Sequence, residues 1–348
     1  MSKKSFENEY MNNDEFNKSR NEQLPWIEKH RPTNIEDIIF TDEMKKTMNL
    51  LCKHKDIPHL ILAGNSGTGK TSSARCLARI LYGKYYNDDY VIEINASDDR
   101  GIKIIDNIDM FCKIHHKYKT EDEGKYFNKK LIILDEADNL LKKAQSEIVK
   151  KMDEYQDHIV FAFTCNTSFE IIESIQSRCK ILRFEELTQK QITERLKVIA
   201  DLEKIDYEKN VIEEIASLSS GDLRSAIKTL QQLSIKYKKI TIKNVYSTVD
   251  IPPPQTFIII FDACINKNKR EAITKILEIS NNGYSGNDIL LGMKHTLKSH
   301  LVSNMKEEIK IRFTNCICDS LYNISRGIDT KLQLQTCIIN MWLSVPEE

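Results

Sequence analysis

What this chain of 348 residues does not have narrows its function first. It has no charge bias: 51 lysines and arginines balance 51 aspartates and glutamates, so any contact with nucleic acid must come from a local patch rather than from a basic whole. It has no cysteines at metal-ligand spacing. Its nine cysteines are scattered without a C-x-x-C pair, and Cys316-x-Cys318 has the wrong spacing, which supports neither a zinc ribbon nor a disulfide framework and fits a reducing intracellular compartment. It has no apolar run near membrane-spanning length, the longest candidate being residues 257–261, and its first residues are polar instead of signal-like. A soluble protein without membrane partners is expected.

The length suffices for two or three domains, each burying its own core. Residues 1–23, rich in Asn, Glu, Lys and Ser, lack the apolar surface that would offset chain entropy and are expected to be a disordered tail.

The chain is organised around the segment His59-Leu60-Ile61-Leu62-Ala63-Gly64-Asn65-Ser66-Gly67-Thr68-Gly69-Lys70-Thr71. It is a phosphate-binding loop. Residues 64–71 match G-x-x-x-x-G-K-[ST], with an expected strand at 60–63 before it and an expected helix at 71–82 after it. Each fixed position has a chemical reason: glycines let successive N–H groups face a phosphate, Lys70 reaches the β- and γ-phosphates, and Thr71 offers its hydroxyl to Mg²⁺. The helix that starts here turns its positive dipole end to the anion. A chance glycine turn is the competing reading, and the strand and helix on either side oppose it.

A second signature lies downstream. The apolar run Leu131-Ile132-Ile133-Leu134 leads into Asp135-Glu136, a Walker B pattern in which Asp135 can hold Mg²⁺ through water and Glu136 can polarise the attacking water. An acidic cap on an ordinary core strand is the plain alternative. Further strands are expected at 91–95, 159–164 and 180–184, alternating with helices at 102–115, 144–155 and 169–176, which implies a mostly parallel sheet covered on both faces. Asn166 falls at a strand tip, where it could hold the lytic water or the γ-phosphate or be a turn residue only. After Glu186 the pattern turns helical. Segments 189–202, 208–218 and 223–233 read as a small lid, and beyond the stiff Pro252-Pro253-Pro254 more helices follow, broken at Asn281-Asn282-Gly283 and Arg326-Gly327. The expected division is 1–23 tail, 24–186 P-loop ATPase domain, 187–250 lid, and 251–348 helical assembly domain.

The order of these features resembles the AAA+ ATPases: P-loop, Asp-Glu strand, strand-tip Asn, an Arg before the fifth strand and an Arg opening a lid helix. More narrowly, Leu24-Pro25-Trp26-Ile27-Glu28-Lys29-His30-Arg31-Pro32 is similar to the L-P-W-V-E-K-Y-R-P segment of replication factor C small subunits, the eukaryotic clamp loader. Asn95-Ala96-Ser97-Asp98-Asp99-Arg100-Gly101, Asp135-Glu136-Ala137-Asp138, Ser177-Arg178-Cys179 and Gly221-Asp222-Leu223-Arg224 resemble that family's further motifs. The resemblance covers residues 24–250 densely and thins beyond, as at Gly283-Tyr284-Ser285-Gly286. His30 stands where the family has Tyr, and Val149 and Lys150 stand where it has two arginines.

The resemblance implies an α/β fold: an AAA+ domain with a five-stranded parallel sheet, a small helical lid and an all-α collar. It implies ATP and Mg²⁺ as ligands, with Ile27 and Ile39 lining the adenine pocket. Gly64, Asn65, Ser66, Gly67, Thr68, Gly69, Lys70, Thr71 and Ser72 would cradle the phosphates. Asn166 and Arg224 would sense the γ-phosphate, while Arg178 would act in trans on a neighbouring subunit's ATP. From its residues alone, Arg178 also reads as a cation at a helix end. The implied partners are the other subunits of a hetero-pentamer, a sliding clamp, and primer-template DNA bound without sequence preference, in a nucleus or at an intracellular viral replication site. Arg100 and Lys150 are the expected DNA contacts, though Arg100 could instead pair with Asp98 or Asp99. Ile104, Ile108, Phe111 and Cys112, with Met110 alongside, form an apolar stripe that suits either a clamp groove or the core.

Three other functions compete. An RNA helicase shares the D-E-A-D letters, but it needs a second RecA-like domain, and everything after Glu186 reads as helices. A subunit that binds ATP without hydrolysing it is opposed by the presence of Lys70, Asp135 and Glu136. Another AAA+ machine, such as a repair-specific clamp loader or a remodelling ATPase, differs by its partners.

Overall fold

The computed structural model describes residues 24–53, 57–98, 102–113, 126–249, 251–298 and 302–346. Residues 1–23, Arg100 and most of the loop at 119–130 therefore lie outside the described residues. The chain divides into two compact units, one of residues up to 202 together with 219–228, the other of 203–218 together with everything from 229.

The first unit is built on five parallel strands, β1 (His59–Gly64), β2 (Val91–Asn95), β3 (Lys130–Asp135), β4 (Ile159–Cys165) and β5 (Cys179–Phe184), in the order β2-β3-β4-β1-β5. Parallel strands are buried on both faces, which is why β4 is buried at every position and reads as one apolar run. Alternation along β1 sends Leu60 and Leu62 to one face, where Met48 of α2 (Asp42–Lys53, after the short α1, Trp26–Lys29) and Leu77 of α3 (Lys70–Tyr82) cover them. Ile61 and Ala63 go to the other face. There they join Ile104 and Ile108 of α4 (Ile102–Lys113) and Ile148 and Met152 of α5 (Lys142–Glu154).

That second core settles the apolar stripe. Ile104, Ile108, Phe111 and Cys112 are buried within it, so they are core and not a groove-seeking face; only Met110 of the set stays largely exposed. Lys130 reinforces the packing, its ammonium donating to the Phe111 carbonyl at 2.8 Å and lying 4.2 Å from the Phe111 ring centre.

Residues 169–176 differ from the single helix expected of them. The chain makes a 3-10 turn at Ser168–Glu170, then the short helix α6 at Glu173–Gln176. The buried Gln145 is the physical reason: its amide donates to the carbonyls of Leu140 and Glu170 and accepts from the Ile172 N–H, taking backbone groups that a continuous helix would need. Residues 187–250, expected as one lid, are shared between the units. Helix α7 (Gln189–Leu202) and the start of α9 (Leu223–Lys236) fall in the first, while α8 (Val211–Leu218) and α10 (Ile242–Val249) fall in the second. The second unit also holds a two-residue parallel ladder, β6 (Asp206–Tyr207) with β7 (Lys239–Ile240), too short to leave a periodic signal.

The rest of the second unit is helical: α11 (Pro254–Ile265), α12 (Lys269–Asn281), α13 (Gly286–Lys298), α14 (Glu307–Ser325) and α15 (Thr330–Ser344). Pro254 sits in the first turn of α11, where its missing N–H costs nothing, and the chain turns at the expected Gly283 and Gly327. Phe257, Phe261, Met293, Phe313 and Ile338 form its core. Among the described residues no helix is long and apolar enough to cross a membrane.

Candidate functional site

The strand order decides where the chemistry gathers. Because β4 lies between β1 and β3, the tip of β4 stands between the phosphate loop after β1 and the Asp135 end of β3. Three sequence signals separated by up to about a hundred residues therefore meet at the C-terminal ends of the central strands.

The loop is shaped by Gly67, which adopts a left-handed conformation with φ of +72°. A Cβ there would lie 1.9 Å from the Asp222 carboxylate, so glycine is required both by the backbone and by the close approach of Asp222. Asp222 in turn caps α9, its Oδ1 accepting the N–H of Arg224 at 2.8 Å and of Ser225 at 3.1 Å. The start of the helix that carries Arg224 thus rests against the loop. Lys70 opens α3 and folds its ammonium back onto the Gly64 and Asn65 carbonyls at 2.7 and 2.8 Å, with the Asn166 amide oxygen at 3.4 Å. Burial pushes its pKa down, with Asp135, Asp138 and Asp222 opposing that shift. A cation held among carbonyls in a partly dry site is ready to exchange them for phosphate oxygens.

At the end of β3 the Thr71 hydroxyl donates to Asp135 Oδ1 at 2.8 Å, and the buried Thr164 hydroxyl donates to the same oxygen. Thr164 also accepts the Glu136 N–H at 3.1 Å. It lines the site and is a residue that the sequence signals missed; its only mark is a hydroxyl in an otherwise apolar strand two positions before Asn166. Glu136 has φ of +53° and ψ of +43°, a left-handed conformation uncommon outside glycine that turns the chain off the strand axis. Its Oε2 accepts from the Asn139 side chain at 3.3 Å. The Asn166 N–H donates to Asp138 Oδ2 at 3.0 Å, and Asp138 Oδ1 is buried without a hydrogen-bond partner.

These groups line a cleft of about 250 Å³. Of the residues expected to hold nucleotide, Ile27, Ile39, Ser66, Gly67, Thr68, Gly69, Lys70, Thr71, Ser72, Asn166 and Arg224 all line it, as do Asp135 and Glu136. Gly64 and Asn65 do not. They present carbonyls to Lys70, and the Asn65 amide is turned away to Glu186 Oε1 at 2.6 Å. Arg195 of α7 is an unexpected lining residue, its guanidinium donating to the His30 carbonyl at 3.1 Å and so tying α7 to the segment at 26–32. No motif marks it.

Arg178 is elsewhere. It precedes β5, whose first residue Cys179 pairs with His59, whereas the phosphate loop leaves β1 at Gly64, paired with Phe184. Five strand steps separate the two, roughly 16 Å, more than an arginine side chain spans. Arg178 stands at the opposite end of the strands from its own phosphate loop. Of the expected DNA contacts, Arg100 is outside the described residues, and Lys150 is exposed on α5 in an ion pair with Glu147 at 2.8 Å.

Comparison with known proteins agrees with this geometry. Residues 60–187 match the family model of the ATPase family associated with various cellular activities, residues 194–235 the RCF1/5-like AAA+ ATPase lid domain, and residues 252–340 the replication factor C C-terminal domain. The chain is 37% identical over 91% of its length to a putative replication factor C small subunit of Acanthamoeba polyphaga mimivirus, covering 96% of that protein. It belongs to the replication factor C small-subunit family. Replication factor C subunit 4 of Schizosaccharomyces pombe is 34% identical over 94% of this chain and 93% of its own length, and a replication factor C small subunit of Sulfurisphaera tokodaii is 33% identical over 93% and 96%. Among solved structures, the RuvB Holliday junction branch migration motor of Thermotoga maritima superposes with a TM-score of 0.51 at 20% identity, over 68% of this chain and 79% of that one. That likeness concerns the fold. As a replication factor C small subunit, the chain carries an AAA ATPase domain, a fold that binds nucleotide.

Proposed function

We propose that this chain is an ATP-hydrolysing subunit of a replication factor C clamp loader, which works with other subunits, in a hetero-pentamer, to place a sliding clamp on primed DNA without reading its sequence. The observation that carries the reading is the distribution of chemistry over the sheet: the groups expected to hold nucleotide at the C-terminal ends of the strands and Arg178 at the N-terminal end of β5. A subunit so built holds ATP itself and offers Arg178 to the ATP of a neighbour.

Within its own cleft, Lys70 would neutralise the β- and γ-phosphates, and Arg224 and Asn166 would address the γ-phosphate from the lid helix and from the strand tip. Glu136 would accept a proton from the attacking water as that water's oxygen bonds to the γ-phosphorus and the bond to the β-bridging oxygen breaks. Mg²⁺ fits the residues present. Thr71 and Asp135 bring two hard oxygen donors within 2.8 Å of each other, and this cation takes only one or two protein ligands, the rest coming from water and phosphate. When bound it would offset charge on the phosphates. Thr164 would hold Asp135 in place for it.

Residues 24–186 would be the ATPase domain, 187–250 its lid and 251–348 the collar through which subunits assemble. The eukaryotic and viral relatives support action in a nucleus or at a viral replication site. The test is steady-state ATP hydrolysis by the chain with its copurifying partners, with and without a sliding clamp and primed DNA. Stimulation by both is expected, and a rate indifferent to both would contradict the reading.

A further inference from the structure

The proposed trans role of Arg178 leaves open what aims its side chain. Its guanidinium carries five N–H groups, and the chain's own acceptors take three. Nε donates to Asp153 Oδ1 at 2.8 Å, Nη2 to Asp153 Oδ2 at 3.0 Å, and Nη1 to the Ser174 carbonyl at 2.9 Å. The pair with Asp153 is a fork-on-fork contact, which fixes the plane of the guanidinium as well as its distance. One N–H on each terminal nitrogen remains to donate to phosphate oxygens.

Asp153 is well placed to do this. It lies in the last turn of α5, directly after Met152, which is buried in the core, so the carboxylate sits on an anchored helix and not on a loop. Both partners remain substantially exposed, Arg178 at 37% and Asp153 at 56%, so the pair adds little to stability and its effect must lie in orientation. The nearby His59 does not compete for the carboxylate with a charge of its own. Its Nδ1 accepts the Phe161 N–H at 3.0 Å, and burial pushes the imidazole pKa down.

We propose that Asp153 is a positioning residue for Arg178, holding the guanidinium by its Nε and Nη2 side so that the two remaining N–H groups face the phosphates of an adjoining subunit. The inference rests on the trans reading of Arg178, and the experiment separates the two. Single-turnover hydrolysis is measured in a reconstituted complex in which only the neighbour's site can bind ATP. Arg178→Ala is expected to slow that site by about a thousandfold. Asp153→Asn is expected to slow it by roughly ten- to a hundredfold through misorientation, with the neighbour's ATP affinity unchanged. Asp153→Glu, which keeps the charge, is expected to recover at least part of the loss, and it decides the matter if the Asn variant fails to assemble. In an Arg178→Ala background, Asp153→Asn should have no further effect, a non-additivity that a merely structural carboxylate would not produce. A full or faster rate for Asp153→Asn beside a slow Arg178→Ala overturns the positioning role and leaves the trans reading standing. A full rate for Arg178→Ala removes both.

Discussion

The two ends of the strands in one sheet are built in different ways. Where the strands end, the chain concentrates constraint: a glycine that admits no Cβ, a glutamate in a left-handed conformation, two threonines on one carboxylate oxygen and a lysine curled onto its own loop. Where β5 starts, there is a surface arginine, a carboxylate and a backbone carbonyl. On the proposed reading, the difference follows from what each end must do. Holding a polyanion needs many donors fixed before it arrives, whereas lending charge to a site on another molecule needs one cation aimed outward.

The comparison can be broken first at the nucleotide end. Lys70→Ala should have the largest effect, removing nucleotide binding, because the loop's backbone donors alone do not balance the phosphate charge; fluorescent ATP binding with unchanged affinity would contradict it. Glu136→Gln keeps the shape and loses the base, so ATP should still bind while turnover falls by about 10²- to 10⁴-fold. Normal steady-state hydrolysis by that variant would remove Glu136 from its role.

Two smaller effects sharpen the comparison by acting on neither end. Phe111→Ala should cost about 3–5 kcal/mol of stability by opening a cavity in the core between the sheet and α4, with nucleotide and clamp binding intact in the folded protein. Chemical denaturation together with a clamp-binding assay would check it, and lost clamp binding at unchanged stability would return the stripe to the surface. The pH response should be smaller still. Burial lowers the pKa of both His59 and His295. Below the ordinary histidine value of about 6.5 the unfolded chain therefore binds more protons than the folded one, so stability falls as pH drops from about 6.5 through the depressed folded values. His295→Gln should weaken that dependence, and an unchanged slope would show that His295 does not contribute.

Much of this was legible in the sequence because the informative segments are local. The phosphate loop and Asp135-Glu136 each place their groups within a few residues, whereas a trans role for Arg178 is implied by the family resemblance alone, and alternation of apolar runs with helical spacing led to the parallel sheet. What was not legible depends on distant pairs. Thr164 bonding to Asp135, Asn65 to Glu186, Arg195 to the His30 carbonyl and Asp153 to Arg178 are ordinary polar residues until the fold brings them together. The misread helix at 169–176 has the same origin: its own periodicity is helical, and Gln145, some 25 positions away, claims the backbone groups that the helix would use. Lys150, paired with Glu147, and the exposed Met110 remain surface side chains.

On the proposed reading this subunit supplies one ATP site and lends one arginine to another. The most direct test reconstitutes the complex twice, once with this chain as Lys70→Ala and once as Arg178→Ala, and follows single-turnover hydrolysis at the neighbour's site alone together with nucleotide binding by this chain. The account predicts that Lys70→Ala abolishes binding at its own cleft while the neighbour turns over normally, and that Arg178→Ala does the reverse. A full rate at the neighbour's site in Arg178→Ala, or loss of nucleotide binding by this chain in that variant, would contradict it.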